Sequence, residues 1–276
     1  MEFFSLTKPG REWNEDRLFV CEDFAFVLDG ATSLTKEKYS SFNSDAEWCS
    51  QWWKDYLIEE MKSQTPLCDI VREGIKKHVK AFKALAKNNT VTDFPSTTIA
   101  AVRRVNGRLE IYILGDSSLV IKTKAGFTFE ISEARVDFID KTNLSILLDK
   151  AKKETLSLAD TRKKYPEPVL EGRLRKNTRF GYSILSNDPK AADNGIYTFI
   201  DENLIEKLFI LSDGFSQIYD TMYYLTKSQF ASKINSLKDA EKIYSKLYKL
   251  QEKDSMCHKY PRFKLRDDAS FICLKF

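Results

Sequence analysis

The predicted strands of this chain are short apolar runs bounded by polar turn residues. The first two are separated only by Glu22-Asp23 and are predicted to pair as a hairpin. Three later runs are so closely spaced that they predict a meander, with Asn106-Gly107 supplying a turn that tolerates positive φ. In chain order, the predicted strands cover residues 18–21, 24–28, 97–105, 109–114, 118–123, 208–211 and 269–274.

Helical periodicity separates these groups of strands. From residue 44 to residue 62, Trp48, Trp52 and Tyr56 recur every four residues, which predicts an amphipathic helix whose aromatic side chains belong to the core. A second helix is predicted from about residue 67 to residue 87, interrupted at Gly74. Helical stretches also follow residue 211 and continue to about residue 252.

The central segment, from about residue 132 to residue 190, is more polar and basic than its surroundings. It is predicted to form a helix and a mobile excursion, with a proline-containing break at residues 165–168, and to be part of a single domain that covers residues 1–276. Strands near both ends, with helical pairs between them, indicate an α+β fold of packed sheets flanked by helices. A strictly parallel sheet fits poorly, because the meander leaves no room for crossover helices.

Composition narrows the functional classes. The 276 residues include 42% hydrophobic residues, enough for a sizeable core, and the 44 basic and 40 acidic residues leave a net charge of only +4, which does not favour nucleic-acid binding. The five cysteines form no CxxC pair, so neither a disulfide framework nor a zinc site is predicted. Without a signal peptide or an apolar run long enough to span a membrane, we expect a soluble, cytoplasmic protein that is a monomer.

Acidic residues recur at the ends of the predicted strands. A carboxylate followed by glycine at a strand end lets the backbone approach a ligand, and several carboxylates brought together need a cation to stay ionised. Oxygen ligands alone favour Mn²⁺ or Mg²⁺ over Zn²⁺. A single Asp-Gly pair is most often a plain turn, but five such acidic sites favour a shared metal site. They are Asn14-Glu15-Asp16, Asp29-Gly30, Gly115-Asp116, Asp213-Gly214 and Asp267-Asp268.

The order and surroundings of these sites carry a resemblance to a known family. Six blocks, spread over nearly the whole chain, resemble the metal-dependent type 2C serine/threonine protein phosphatases (the PPM family) in its divergent bacterial form. The blocks are Arg11-Glu12-Trp13-Asn14-Glu15-Asp16-Arg17, Val27-Leu28-Asp29-Gly30-Ala31-Thr32, Ser96-Thr97-Thr98, Leu114-Gly115-Asp116-Ser117, Leu211-Ser212-Asp213-Gly214 and Asp267-Asp268-Ala269-Ser270. The resemblance implies a four-layer α-β-β-α sandwich of two mainly antiparallel sheets, with a two-metal centre at one end and a variable flap at about residues 132–190.

The resemblance also implies metal ligands. Asp29 would bridge two Mn²⁺ or Mg²⁺ ions, and the carbonyl of Gly30 would help to hold one of them. Asp213 and Asp267 would complete the other ion. Water activated by the ions would then attack phosphorus in line, without a phosphoenzyme.

The resemblance implies roles in metal or phosphate binding for four further residues. Glu15 and Asp16 would bind metal directly or through water, and Asp116 is the candidate ligand of a third ion. Arg11 falls where the family places the arginine that grips the substrate phosphate, a task that suits a bidentate guanidinium. The substrate would be a phosphoserine or phosphothreonine protein, and a cognate kinase is the partner expected with it.

The departures from the family pattern leave alternatives open. No histidine follows the first Asp-Gly, where the sequence reads Ala31-Thr32-Ser33-Leu34, and Gln217 stands where a third-metal carboxylate is common. A catalytically weak regulatory or binding module is therefore the main rival, and a small phosphorylated metabolite is an alternative substrate. A cysteine phosphatase is excluded, because only four residues separate Cys257 from Arg262 and its phosphate loop needs five.

Overall fold

The computed structural model describes residues 2–31, 37–87 and 90–276, and within them the chain forms strands and helices in the following order. The strands are β1 Glu2–Lys8, β2 Arg17–Val20, β3 Phe24–Leu28, β4 Gly30–Ala31, β5 Ser96–Thr97, β6 Ile99–Val105, β7 Arg108–Leu114, β8 Ser118–Thr123, β9 Thr128–Ile131, β10 Ile196–Asp201, β11 Ile205–Leu211 and β12 Ala269–Lys275. The α-helices are α1 Asp45–Glu60, α2 Leu67–Leu85, α3 Ala134–Glu154, α4 Leu158–Lys164, α5 Glu167–Leu174, α6 Asp213–Asp220, α7 Lys227–Lys233 and α8 Leu237–Lys253.

The strands form two five-stranded sheets and one small two-stranded sheet. The first large sheet has the order β1-β12-β11-β8-β9, the second has the order β10-β7-β6-β3-β2, and β4 pairs with β5. Every pairing between these strands is antiparallel. Both large sheets therefore contain strands from distant parts of the sequence, and the terminal strands β1 and β12 are neighbours.

Three apolar layers hold the sheets and helices together. In β11, Leu208 and Ile210 face the second sheet, whereas Phe209 and Leu211 face α6, α7 and α8, as the two-residue period of a strand requires. The outer face of the second sheet packs against α1 and α2 through residues such as Phe26. The order of layers is helix, sheet, sheet, helix, so the predicted α-β-β-α sandwich is confirmed.

The predicted meander is only half correct. β6 and β7 pair across Asn106 and Gly107, whose φ angles of 51° and 77° confirm the predicted turn. The third strand of the prediction, β8, pairs instead with β11 and β9 in the other sheet. The chain leaves the second sheet after Leu114 and passes through Gly115-Asp116-Ser117 into the first, which places Asp116 between the two sheets.

The predicted interruption of the second helix at Gly74 is wrong. Helix α2 continues through this residue. Because Gly74 has no side chain, two aromatic rings of α1 can lie close to the backbone of α2 here. A Cβ atom at Gly74 would lie 2.5 Å from the ring of Trp53 and 2.6 Å from that of Tyr56. Trp48, Trp52 and Tyr56 pack against the core as predicted but are only partly buried, whereas the neighbouring Trp53 is fully buried.

The segment expected to be the flap is largely helical. It contains α3, α4 and α5, and the break between the last two lies at Tyr165-Pro166. These helices have a small apolar core of their own, which includes Leu147 and Leu158 and extends to Cys257 and Phe263. The flap is thereby joined to the loop that precedes β12. None of the helices in the described ranges is long and apolar enough to cross a membrane.

Candidate metal centre

The antiparallel registers bring the acidic strand ends to one edge of the sandwich. Because neighbouring strands are antiparallel, a strand that ends at this edge lies beside a strand that begins there. The end of β3 lies beside the start of β2, and the end of β11 lies beside the starts of β8 and β12. The register pairs nearest this edge are Arg17 with Leu28, Ile99 with Leu114, Leu211 with Ser118, and Leu211 with Phe271. Each predicted acidic site adjoins one of these positions.

A cavity of about 130 Å³ opens at this edge between the sheets and the flap. The predicted site residues that line it are Asp29, Gly30, Asp116, Asp213 and Asp267. Sequence reasoning did not single out the other charged residues that line it, which are Asp140, Arg162, Arg173 and Lys264. The structure thus brings five of the predicted positions together and adds three flap residues and one loop residue to them.

The carboxylates in this cavity disfavour one another's charge. Burial and then the charges of Asp16 and Asp213 raise the pKa of Asp29. Burial and the charge of Asp267 raise the pKa of Asp213, and a hydrogen bond with Asp29 only partly offsets this. Asp29 and Asp213 therefore form a close pair of acidic side chains, an arrangement that a bound cation would stabilise.

Asp116 and Asp140 form a second acidic pair in the same cavity. Burial, followed by the charge of Asp140, raises the pKa of Asp116 to about 7. Burial also raises the pKa of Asp140 to about 6, against the opposing effect of Arg173. Asp140 extends from α3 of the flap, so the flap contributes a carboxylate next to the candidate third-ion ligand.

Asp16 lies deeper than the residues that line the cavity. It is 2% exposed, and burial together with the charge of Asp268 raises its pKa. The hydroxyls of Ser212 and Ser270 partly offset this rise, but neither carboxylate oxygen has a hydrogen-bond partner of normal geometry among the described residues. A buried carboxylate in this state needs a proton or a cation.

Gly30 brings the backbone of the site close to the loop that carries Glu15. A Cβ atom at Gly30 would lie 2.6 Å from the carbonyl oxygen of Glu15, so no other residue fits without a shift. The carbonyl of Asp29 accepts the N–H of Thr98 and the hydroxyl of Thr97, both at 2.9 Å. These contacts fix the main chain at Asp29-Gly30, on which the geometry of the site depends.

Arg11 and Glu15 pair with each other beside the cavity and do not line it. Nη2 of Arg11 lies 3.0 Å from Oε2 of Glu15, and the guanidinium lies over the ring of Trp13. Oε1 of Glu15 accepts hydrogen bonds from Ser44 at 2.6 Å and from Trp13 at 3.2 Å. The Glu15 carboxylate is thus engaged by these donors, and its metal-binding role stays a prediction.

The carboxylates of this site are chemically suitable ligands for a divalent cation, but their spacing does not yet form a complete ligand set. Both carboxylate oxygens of Asp16 and one of Asp213 are buried without a hydrogen-bond partner among the described residues, so a cation or a proton would stabilise them. Within the described ranges, however, no three His, Cys, Asp or Glu side chains are grouped closely enough to hold one ion. Side chains must therefore move for a complete ligand set to form.

Most of the chain matches the profile of a known protein family. A family profile described as protein phosphatase 2C matches residues 12–253. The chain belongs to the protein phosphatase 2C family. Most of the candidate site lies within the matched range of this phosphatase family, whereas Arg11, Lys264 and Asp267 lie outside it. No curated protein sequence matches the chain.

Solved structures support the same fold. The serine/threonine phosphatase PstP/Ppp from Mycobacterium tuberculosis is 13% identical, with a TM-score of 0.58 and coverage of 100% of this chain and 98% of that chain. Stp1 from Staphylococcus aureus is 14% identical, with a TM-score of 0.57 and coverage of 100% and 94%. The catalytic domain of PstP, solved with two manganese ions, is 12% identical, with a TM-score of 0.53 and coverage of 99% and 96%. At these identities the likeness to protein phosphatase 2C structures shows the fold.

The residues that sequence reasoning missed come from the flap and the loop before β12. Asp140 falls on the buried face of α3, four residues after Val136, so an inward carboxylate was readable from the helical period. Arg162 and Arg173 have no comparable signal, because basic residues are frequent throughout this segment. Residues 32–34, which include the stretch without the histidine common in protein phosphatases 2C, lie outside the described residues.

Proposed function

We propose that this protein is a divalent-metal-dependent phosphatase that hydrolyses phosphoserine and phosphothreonine in proteins. Membership of the protein phosphatase 2C family supports the class of reaction. The observation that carries the metal dependence is the convergence of Asp29, Asp116, Asp213 and Asp267 in one cavity, where their charges cannot coexist without neutralisation.

The proposed roles follow from position. The metal would be held by Asp29, Asp213 and Asp267 together with the carbonyl of Gly30. Asp16, which lies deeper, would bind metal directly or through water. Mn²⁺ or Mg²⁺ in this site would supply positive charge that favours attack of water on the phosphate. Two ions are proposed, with Asp116 as a ligand of a third.

Arg11 would bind the phosphate from the loop between β1 and β2, beside the cavity. Its guanidinium pairs with Glu15 at 3.0 Å, which holds one edge and orients the other. Burial, then the charge of Arg173 and, less strongly, that of Arg11 lower the pKa of Arg162 of the flap, so Arg11 adds to the positive charge at this cavity. A phosphomonoester bound there would meet positive charge from the loop and from the flap.

A catalytically weak regulatory module is the second candidate. Two observations favour it, namely that no three ligand side chains of the described part of the chain are grouped to hold an ion, and that Lys264 forms an ion pair with Asp267. In that case the same cavity would bind a phosphorylated segment without efficient turnover. A cytoplasmic monomer that acts together with a kinase remains part of the proposal in either case.

Hydrolysis of a substrate panel tests the proposal. Release of phosphate would be measured for a phosphothreonine peptide, a phosphoserine peptide, p-nitrophenyl phosphate and a sugar phosphate, each with Mn²⁺, Mg²⁺ or EDTA. We expect metal-dependent turnover that is fastest on the peptides. Preference for the sugar phosphate would assign a metabolite as the substrate, and Mn²⁺ binding without turnover would assign the regulatory module.

A further inference from the structure

We propose that Lys264 is a built-in counter-cation of the carboxylate cluster, which occupies the place of one divalent ion beside Asp267 and competes with it. This inference rests on the proposed function, because it takes Asp29, Asp213 and Asp267 as metal-binding residues. It adds that metal affinity in this chain is limited by displacement of a lysine. The consequence is a phosphatase that requires a higher metal concentration than its carboxylates alone would need.

The position of the Lys264 ammonium carries the proposal. Its Nζ donates to Oδ1 of Asp267 at 2.7 Å, and the charges of Asp29 and Asp213 act on the same group. All four side chains line the same cavity. The ammonium therefore lies among the three carboxylates proposed to hold metal, and is not one of a pair on the outer surface.

The oxygen of Asp267 that faces Lys264 is already engaged by two donors. Oδ1 accepts the ammonium of Lys264 and also the backbone N–H of Asp268 at 3.0 Å. Mg²⁺ binds oxygen ligands at about 2.0–2.1 Å, and its charge repels a neighbouring ammonium. Binding of an ion at Oδ1 of Asp267 thus requires the ammonium to leave, and an ion at the other oxygen would meet its repulsion.

The loop that carries Lys264 is fixed, so displacement has to come from the side chain. Two residues earlier, the 4%-exposed Arg262 donates to the Asp254 carboxylate at 2.8 Å and to the carbonyl of Leu265 at 3.0 Å. It also donates to the carbonyls of Gln251 and Asp254, at 3.1 Å and 2.8 Å. The main chain at Lys264 is thereby held, while the long lysine side chain keeps rotatable bonds.

Charge neutralisation by Lys264 also agrees with the spacing of the acidic groups. No three ligand side chains of the described ranges are grouped closely enough to hold one ion, although several carboxylates share the cavity. An ammonium neutralises charge without drawing carboxylates into a coordination shell. The acidic side chains are thus spaced as expected for a cluster whose negative charge is partly neutralised by a lysine.

Titration of the metal-free protein with Mn²⁺, measured by isothermal titration calorimetry, tests the proposal. We expect Lys264→Met to bind Mn²⁺ about fivefold more tightly than the natural protein, the effect of removing a partly exposed ion pair of ~1 kcal/mol. Lys264→Arg keeps the positive charge and should retain the weaker binding. Lys249→Met, which changes an exposed lysine on α8 away from the cavity, is the matched control and should leave the affinity unchanged.

The outcomes separate this inference from the proposed function. If the natural protein binds Mn²⁺ through Asp29 and Lys264→Met binds it no more tightly, the inference is overturned and the phosphatase proposal stands. If neither protein binds Mn²⁺, both are overturned. Melting curves provide an independent readout, in which Lys264→Met should melt below the natural protein in EDTA and show a larger rise on addition of Mn²⁺.

Discussion

The carboxylate of Asp268 accepts the backbone N–H of Glu15 at 2.6 Å, and it also accepts that of Gly10 at 2.7 Å. One side chain at the start of β12 therefore holds both ends of the loop that carries Arg11. Asp268 is 6% exposed, so these hydrogen bonds are shielded from water. The candidate phosphate-binding arginine is thus placed by a residue more than 250 positions away in the sequence, next to the metal-binding candidate Asp267.

We predict that Asp268→Ala lowers the free energy of unfolding by about 1–3 kcal/mol, because two backbone N–H groups lose their acceptor. The loosened loop should also raise KM for a phosphothreonine peptide more than it lowers kcat. Asp268→Asn keeps one carbonyl oxygen as an acceptor and should restore much of both properties. Urea unfolding and steady-state kinetics measure these effects, and a KM that does not change would remove the link between Asp268 and the Arg11 loop.

We predict that Arg11→Ala raises KM for phosphorylated substrates about tenfold to a hundredfold with a smaller effect on kcat. The reason is that charge-assisted hydrogen bonds to phosphate contribute ~1.5–3 kcal/mol. Arg108→Ala is the control, since this exposed arginine begins β7 and lies at the opposite edge of the sheet. An unchanged KM in Arg11→Ala would place Arg11 outside the phosphate site.

We predict that the flap arginines contribute to substrate binding. Arg162 and Arg173 line the cavity, and the two positive charges act on each other, so both should bind an anion that enters. Arg162→Gln and Arg173→Gln should each raise KM for a phosphothreonine peptide about fivefold, whereas Arg179→Gln, at an exposed position of the same segment, should not. Equal kinetics for all three variants would contradict a binding role for the flap.

We predict that His78 makes the fold less stable in acid. Burial lowers the pKa of His78 from 6.5 to about 4, the backbone of Ser186 only partly offsets this, and neither ring nitrogen has a hydrogen-bond partner of normal geometry among the described residues. Between those two values the unfolded chain binds a proton that the folded protein does not, so the free energy of unfolding falls as pH decreases from 7 to 5. The expected loss is about 2 kcal/mol.

Comparison with His78→Leu isolates this effect from other titrating groups. The variant should lose about 2 kcal/mol less than the natural protein between pH 7 and pH 5 in urea unfolding experiments. The difference is the test, because the variant also changes packing against Trp48 and Trp53 at every pH. Parallel pH dependences would show that His78 does not titrate in this range.

The strands and the site predicted from sequence are those with strong local signals. The runs in β3, β6, β7 and β11 are nearly all buried, so continuous apolar sequence revealed them. β1 and β10 have only mixed burial and were not predicted, because an edge strand is recognised by its partner more than by its own composition. The pairing of β8 with β11 depends on residues distant in sequence, which explains the error in the meander.

The same division applies to the candidate site. Asp29, Asp116, Asp213 and Asp267 were found because each follows or precedes an apolar strand and all four fall in recognisable blocks. Lys264 and the flap arginines were not found, since their function depends on how a loop and three helices fold over the cavity. A local pattern of charge does not determine that arrangement.

The central claim is that the acidic cluster binds metal for phosphate hydrolysis, and Asp29→Asn tests it most directly. Turnover of p-nitrophenyl phosphate would be measured for this variant and the natural protein with Mn²⁺ and with EDTA, after circular dichroism has shown that both are folded. We predict that the natural protein is active only with metal and that the variant loses at least about a hundredfold in kcat/KM. Equal Mn²⁺-dependent activity of the two proteins would contradict the account.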